Sequence, residues 1–415
     1  MNEFQNIFRR LLETKVLENY SFMTALSICS ALIGLLIYPY VIRVVGKEMY
    51  GTYVYAITIM SYFLIVMDFG FDSPCAKAIV QAEGNKDEYS HIVSAVFTAK
   101  MLLVTLCGVV LGMMMYYVPF MRHHFVLCLY AFIQTIASIL FPGWYFQGTK
   151  NMKIVTYINL SIRLLTIPFI IWLVHCPSDI EHYALIVMLS IVLGTLVAYI
   201  ALWRQRVRIR LVSIQQVKRF YKEAFPFFVT NLTDGLKSSI LKTVIKLTFG
   251  VSELAIYDMA EKLINIPHFF TQNINAALYP EVVNNASQKR VKSILTTERI
   301  IGLSCVILTI LMSYPAVLLL GGEQMRDAIP VTMLLSITIY TWLISGAYIN
   351  FVFVPQNRYY FVTLNQFVAL LSCIGLMVIG LLLWKNIIVI ALARVLSGIA
   401  EIIYCRYTSK RYKML

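Results

Sequence analysis

Five ionisable residues stand where an apolar environment should forbid them: the cations Lys100, Arg163, Lys237 and Arg394, and the carboxylate Asp234. Each is set inside an apolar run long enough to cross a bilayer. An ionised side chain at the bilayer centre costs at least about 2.5 to 3.5 kcal/mol, so each must face a cavity or a partner. At a rise of about 1.5 Å per residue, Lys100 and Arg163 lie roughly 14 Å into their spans, and Asp234 and Lys237 roughly 15 to 20 Å into theirs. Arg394 stands about 10 Å from the outer end of its span, and His268 lies near the middle of another. This excess of cations suits an anionic cargo, such as a pyrophosphate or an acidic sugar, in a water-filled lumen. The competing chemistry is private pairing with each other or with carbonyls, which fixes helix packing and recognises nothing. Asp234 either carries a coupling ion or anchors Lys237 three residues on.

A second group of charges lies nearer the span ends. Lys242 and Lys246 close one span, and Asp258, Glu261 and Lys262 open the next. An antiparallel hairpin sets 246 near 258 and 242 near 261, giving ion pairs with a possible part in external closure. Asp68 and Asp72 are four apart and share a helix face. They either snorkel to the interface or couple transport to protons or sodium, and Pro74 is expected to end that helix. Pro168, Pro226, Pro267 and Pro315 each free a carbonyl and permit a kink. Pro267 beside His268 is the best-placed hinge. His175, Cys176, Asp179 and His182 crowd one short loop, but their spacing is poor for metal and reads as a solvated turn. The sequence carries no catalytic set, no metal site and no GxxxxGK[ST] loop, so neither an enzyme nor a cofactor is expected.

Composition says what must position these residues. The chain has 415 residues, 59% hydrophobic and 13% charged, with mean hydropathy +0.74. A soluble domain carries about 25% charged residues, so this chain could not cover a soluble surface of its size. Apolar runs of about 20 residues, the length of a membrane-spanning helix, recur from end to end. The sequence predicts twelve spans, at 19–41, 53–72, 91–118, 125–146, 154–174, 183–203, 224–249, 255–281, 298–320, 330–354, 361–384 and 387–405. No cleavable leader is apparent ahead of the first. Cysteines sit mostly within apolar runs, as core residues. The net charge of +14 does not indicate nucleic acid, because Lys and Arg concentrate in alternate loops. With the N-terminus inside, the internal loops hold 23 and the external loops 5, which makes both termini cytoplasmic. The basic stretch 204–223 divides an N-lobe (19–203) from a C-lobe (224–405), flanked by a segment 1–18 and a tail 406–415. Six spans in each lobe put both the same way up, with a central cavity between them. Within 1–18, Phe4, Ile7, Phe8 and Leu11 form a stripe suited to the cytoplasmic interface, or else a frayed polar tail.

Four segments carry a family resemblance. YPYVIRVVGKEMYGTYVYA (Tyr38 to Ala56) resembles the Pro-x-x-x-Arg-x-x-Gly-x-x-x-x-Gly stretch after the first span of polysaccharide transporters. MDFGFDSPCAKAI (Met67 to Ile79) looks like their Asp-Phe-Gly turn. FPGWYFQGTKNMK (Phe141 to Lys153) resembles their Pro-x-Trp-x-Phe-Gln-Gly signature, with Lys150 where a Glu is usual. IYDMAEKLINIPHFFTQNINAALYPEV (Ile256 to Val282) is similar to their eighth span. The chain thus resembles the lipid-linked oligosaccharide flippases of the MOP superfamily, of Wzx type. The resemblance implies an all-α polytopic bundle in two lobes, carrying an undecaprenyl-pyrophosphate-linked glycan across the inner membrane by ion-driven alternating access. It also implies membrane lipid as a partner, together with the polymerase and chain-length machinery of surface polysaccharide. On this reading Lys100, Arg163, Lys237 and Arg394 offset the head group's charge. A cation-coupled drug exporter of the same superfamily should carry acidic lumen residues instead. A peptidoglycan-precursor flippase usually has more than twelve spans, and a membrane glycan polymerase or ligase needs a long external loop.

Overall fold

Apolar runs of this length have one way to satisfy their backbone polar groups in lipid, and that is to form helices. A computed structural model describes residues 15–82, 84–210, 212–284, 288–356, 358–412 and 414; at 15–36, 214, 216, 234, 269–270, 272–284 and 288–290 it describes the backbone alone. The interfacial stripe expected within 1–18 therefore lies outside the described residues, apart from the backbone from Lys15 on. The described residues form helices α1 (Lys15–Asp68), α2 (Asp72–Gln81), α3 (Lys86–Tyr117), α4 (Pro119–His123), α5 (Phe125–Leu140), α6 (Gly143–Gly148), α7 (Met152–Leu173), α8 (Ile180–Arg204), α9 (Ile214–Phe249), α10 (Val251–Asn284), α11 (Gln288–Gly321), α12 (Ala328–Leu335), α13 (Ile337–Tyr348), α14 (Tyr359–Leu383) and α15 (Ile387–Arg411). A π-helical turn, Ile349–Phe353, continues α13.

The helix boundaries have local causes. The Asn85 side chain caps α3 by accepting from the Asp87 and Glu88 N–H groups at 3.1 and 3.3 Å. Asn386 does the same for α15 at the Ile388 N–H, 2.9 Å. The loop expected between the first two spans is a kink at a single residue, Gly46, whose φ of 80° suits glycine. Pro74 does not end the second span as expected. That helix stops at Asp68, where Phe69 and Gly70 take φ of 47° and 70°, and Pro74 lies in the first turn of α2. A missing N–H costs nothing there.

This is an all-α polytopic membrane protein. Among the described residues, nine helical segments are long and apolar enough to cross a membrane, the first being Ile37–Gln81. α9 and α10 are not among them; part of each lies outside the described side chains, and both carry charged residues discussed below.

The fold divides into two compact units. One comprises the residues up to Val45 together with Phe63–Phe228; the other comprises Gly46–Tyr62 and Val229–Leu415. In the first unit, a core of Phe71, Cys75, Ile79, Trp144, Tyr145 and Phe146 joins α2 to α6. In the second, Val291, Leu295, Ile344, Tyr348, Phe353 and Cys405 form a corresponding core. The stretch 46–62, expected within the N-lobe, clusters with the second unit. Gly51 explains part of this, since an added Cβ would overlap the Val251 carbonyl at the start of α10. Only glycine permits that approach.

Candidate functional site

The second unit gathers most of the anomalous charges into a network and an ion pair that line one region. Lys242 on α9 bonds Asp258 at 3.1 Å and Glu261 at 2.7 Å, both on α10. Asp258 also pairs with Lys262 at 2.9 Å and accepts from the Tyr50 hydroxyl at 2.9 Å. Lys262 in turn donates to that hydroxyl. Arg394 on α15 pairs with Glu261 and donates to the Tyr257 hydroxyl at 3.0 Å. Lys237, five residues before Lys242 on α9, bonds Glu401 on α15 at 3.2 Å. The expected pairing of 242 with 261 is present, while Lys246 stands over the Tyr55 ring, 4.5 Å from its centroid. Among these described side chains, Lys237, Lys242, Lys262 and Arg394 outnumber Asp258, Glu261 and Glu401 by one positive charge. Asp234 belongs to the described backbone of α9, but its side chain lies outside the described residues.

A cavity of about 250 Å³ opens beside this network. Lys237, Arg394 and Glu401 line it together with His268, Trp342 and Asn265. The His268 ring packs against the Trp342 indole, and α10 passes through Pro267 without interruption. Gly398, between Arg394 and Glu401 on α15, lets that helix press on α13: an added Cβ would stand 2.8 Å from Thr341 Cβ. Small residues that admit close helix approach are a usual device in membrane bundles. A guanidinium has five N–H donors, and the two bonds that Arg394 makes among the described residues both come from Nη1, so donors remain beyond those two. The cavity thus offers charge-assisted donors, one carboxylate and an aromatic wall.

Lys100 belongs to the first unit. It is 3% exposed, and its ammonium is met by Asp72 at 3.3 Å, Asp68 at 3.8 Å and the Ile139 carbonyl at 2.9 Å. Three of the expected site residues therefore join in one knot across α1, α2 and α3. The turn that presents both aspartates is clamped by aromatics. Phe69 stacks on Phe228 with centroids 4.6 Å apart, and Tyr221, edge-on to Phe69, donates to the Ala99 carbonyl at 2.8 Å. At Gly70 a Cβ would stand 2.7 Å from the Phe228 nitrogen. The Pro-Gly-Trp-Tyr-Phe-Gln-Gly stretch packs nearby: Tyr145 donates to Gln205 at 2.8 Å, and a Cβ at Gly148 would meet the Ala76 carbonyl at 2.8 Å. These signature residues build a packed corner. Arg163 occupies an exposed position on α7, beside the exposed Leu164 and Leu165.

The sequence reading missed Glu401. Its signal was present, because Arg394, Gly398 and Glu401 recur at i, i+4 and i+7 on one face of α15. Among the described residues, no group of three or more His, Cys, Asp or Glu could hold a metal ion. Cys176, Asp179 and His182 form a local turn, with the Cys176 Sγ 3.2 Å from Asp179 and His182 3.4 Å from it.

Comparison with known proteins gives three findings. Residues 16–285 match the family described as polysaccharide biosynthesis protein. The chain is 25% identical over 294 residues, 70% of either chain, to the "Putative O-antigen transporter" of Escherichia coli (strain K12). Its fold is similar to that of the lipid II flippase MurJ in an inward closed conformation, with TM-score 0.73 and 13% identity over 94% of this chain and 87% of that one. It is also similar to an inward-facing multidrug resistance MATE family transporter of the MOP superfamily, with TM-score 0.64 and 15% identity over 92% and 99%.

Proposed function

The chain belongs to the polysaccharide biosynthesis protein family, and on that premise we propose that it flips undecaprenyl-pyrophosphate-linked oligosaccharide repeat units from the cytoplasmic to the periplasmic leaflet of a bacterial inner membrane. The observation that carries this reading beyond family membership is the cavity of the second unit. Its cations, Lys237 and Arg394, come with ion pairs whose described side chains hold one positive charge in excess. Its aromatic wall, Trp342 and His268, suits the apolar face of a sugar ring. An anionic glycan meets there the groups it needs, while the polyprenyl tail stays in lipid. The similarity to an O-antigen transporter supports the same class of cargo.

In this mechanism the protein does no covalent chemistry. Its task is to replace the hydration of a charged head group during the crossing, which would otherwise carry the cost of an ion in hydrocarbon. Lys237 and Arg394 make that replacement, and the paired carboxylates Glu401 and Glu261 keep the empty site from standing as bare positive charge. Lys100, held by Asp68 and Asp72, fixes the corner between α1 and α2. Alternating access is driven by an ion gradient, and the repeat unit passes to the polymerase and chain-length machinery outside. Both termini and the 204–223 linker are cytoplasmic, in keeping with the distribution of Lys and Arg.

Deletion of the gene tests the cargo. Surface display of one polysaccharide should stop while lipid-linked units accumulate inside, and the wild-type gene should restore display. Normal surface glycan with altered sensitivity to cationic drugs would refute this reading and favour an exporter.

A further inference from the structure

Glu298 has no place in the network just described, yet it is the most anomalous carboxyl of the second unit. It lies on α11 and is 1% exposed. Both of its carboxylate oxygens are buried without a hydrogen-bond partner among the described residues. It interrupts an otherwise apolar or small stripe, Val291, Leu295, Gly302 and Val306, which is the buried face of that helix. A carboxylate enclosed in this way, with neither cation nor N–H donor among the described residues, forfeits its hydration and gains nothing from them in return. A carboxylic acid in the same place loses far less. Intramembrane ionisable residues are costly and are kept mainly where a pathway uses them.

The surroundings also suit a group that changes charge. One turn further along α11, Gly302 brings the helix close to α13: an added Cβ would stand 3.0 Å from Tyr340 Cδ2 and 3.5 Å from its Cα. α13 then runs into the π-helical turn Ile349–Phe353, whose Phe351, Val352 and Phe353 share a core with Val291 and Leu295. Such turns have altered winding and recur at functional sites. The titratable groups on the elements packed against α11 are Tyr340 and Tyr348 on α13, Glu323 in the turn before α12, and His268, Glu253, Tyr257, Asp258, Glu261 and Lys262 on α10; α12 has none. None of them bonds Glu298. Tyr279 and Glu281 of α10 lie outside the described side chains. On α11 itself Lys292 and Arg299 are exposed, while Cys305 and Tyr314 lie further along.

We infer that Glu298 is a proton-binding site, and that its proton is the ion whose movement drives the repacking of α11 against α13 during transport. This rests on the ion-driven reading proposed above, and it places the coupling on Glu298 where the sequence pointed to Asp234, Asp68 and Asp72. The step is a simple exchange. The carboxyl O–H bond breaks when the site opens to water on the side of low proton concentration, the proton leaves as hydronium, and the carboxylate is reprotonated from the opposite side.

Infrared spectroscopy of the purified full chain in lipid nanodiscs tests the site without any cargo. The wild type should show the carbonyl stretch of a protonated carboxylic acid, shifted in deuterium oxide and lost as pH is raised; Glu298→Gln should lack it. In cells, Glu298→Gln should be present at wild-type level while surface glycan falls to that of the gene deletion. Should the Gln variant fail to fold, Glu298→Asp keeps the acid and should keep a displaced band. The inference is overturned if the band is absent from the wild type, if it is equal in Glu298→Gln, or if Glu298→Leu exports glycan normally with raised thermal stability. That last pattern would make Glu298 a packing residue. Each of these outcomes leaves the identity of the cargo to the deletion experiment.

Discussion

The pair formed by Lys237 and Glu401 allows packing to be separated from recognition. Replacing Lys237 by Gln leaves the Glu401 carboxylate without its 3.2 Å partner. Breaking a buried pair in this way costs about 3 to 5 kcal/mol. The side chains are 19% and 11% exposed, so residual solvent trims the cost to the lower end, about 3 kcal/mol. For a unit of about 200 residues, 1 kcal/mol is worth roughly 2 to 4 °C, which predicts a Tm lowered by about 6 to 12 °C in Lys237→Gln. Glu401→Gln should lose a similar amount. The double variant should return to within about 1 kcal/mol of the wild type, because neutral groups need no partner. Thermal denaturation of the purified chain in detergent gives these four values, and surface glycan is assayed in parallel. If Lys237 also contacts cargo, the double variant regains stability and not export. Single variants that melt with the wild type, or a double variant as unstable as the sum of the singles, would refute the ion pair as a structural unit. Full export by the double variant would refute the contact with cargo.

Two further outcomes follow from local geometry. Gly70→Ala puts a Cβ at 2.7 Å from a backbone nitrogen and at a φ of 70°, so it should lose more than the roughly 1 to 2 kcal/mol of left-handed strain alone; an unchanged Tm in the same detergent assay would contradict the clamped turn. The exposed Cys176 should react with a membrane-impermeant maleimide in intact spheroplasts, and Cys176→Ser should abolish the labelling, while a cysteine introduced in the 204–223 linker stays unlabelled. The reverse pattern would invert the orientation.

Helix positions were legible because hydropathy is a local property, and a run of apolar residues admits one structure in lipid. The junction of the first two spans was not, because whether a chain turns through a loop or a single glycine depends on what packs beside it. Pro74 was misplaced for a related reason: a proline stops one helix or starts another, and the left-handed turn at Phe69 and Gly70 decides which. The hairpin pair of Lys242 and Glu261 could be found by counting along two adjacent helices. The pair of Lys237 and Glu401 spans 164 positions, and no spacing rule reaches that far. Asp234 is three residues from Lys237 and its side chain lies outside the described residues; among the described side chains the partner of Lys237 comes from α15. Glu298 opens the span at 298–320 and Arg299 follows it, so the local sequence does not mark it as buried. Its burial shows only when the stripe Val291, Leu295, Gly302 and Val306 is seen facing α13.

That Lys237 and Arg394 are paired bears directly on how a carrier can work. Bare cations in a low-dielectric cavity would bind a pyrophosphate or a sugar acid very tightly, and a flippase must also let go. With Glu401 on Lys237 and Glu261 on Arg394, an anion arriving as the proposed function requires competes for cations that already have partners. Each exchange swaps one charge-assisted hydrogen bond for another of similar strength, so its net free energy is small although each bond is strong. On that reading the one positive charge in excess among the described side chains biases the site toward anions without trapping them. The same argument explains why acidic side chains in this cavity do not by themselves mark a cation exporter. On the proposed function they moderate the cations beside them, and the sign of the sum among the described side chains, together with the Trp342 and His268 wall, selects the cargo.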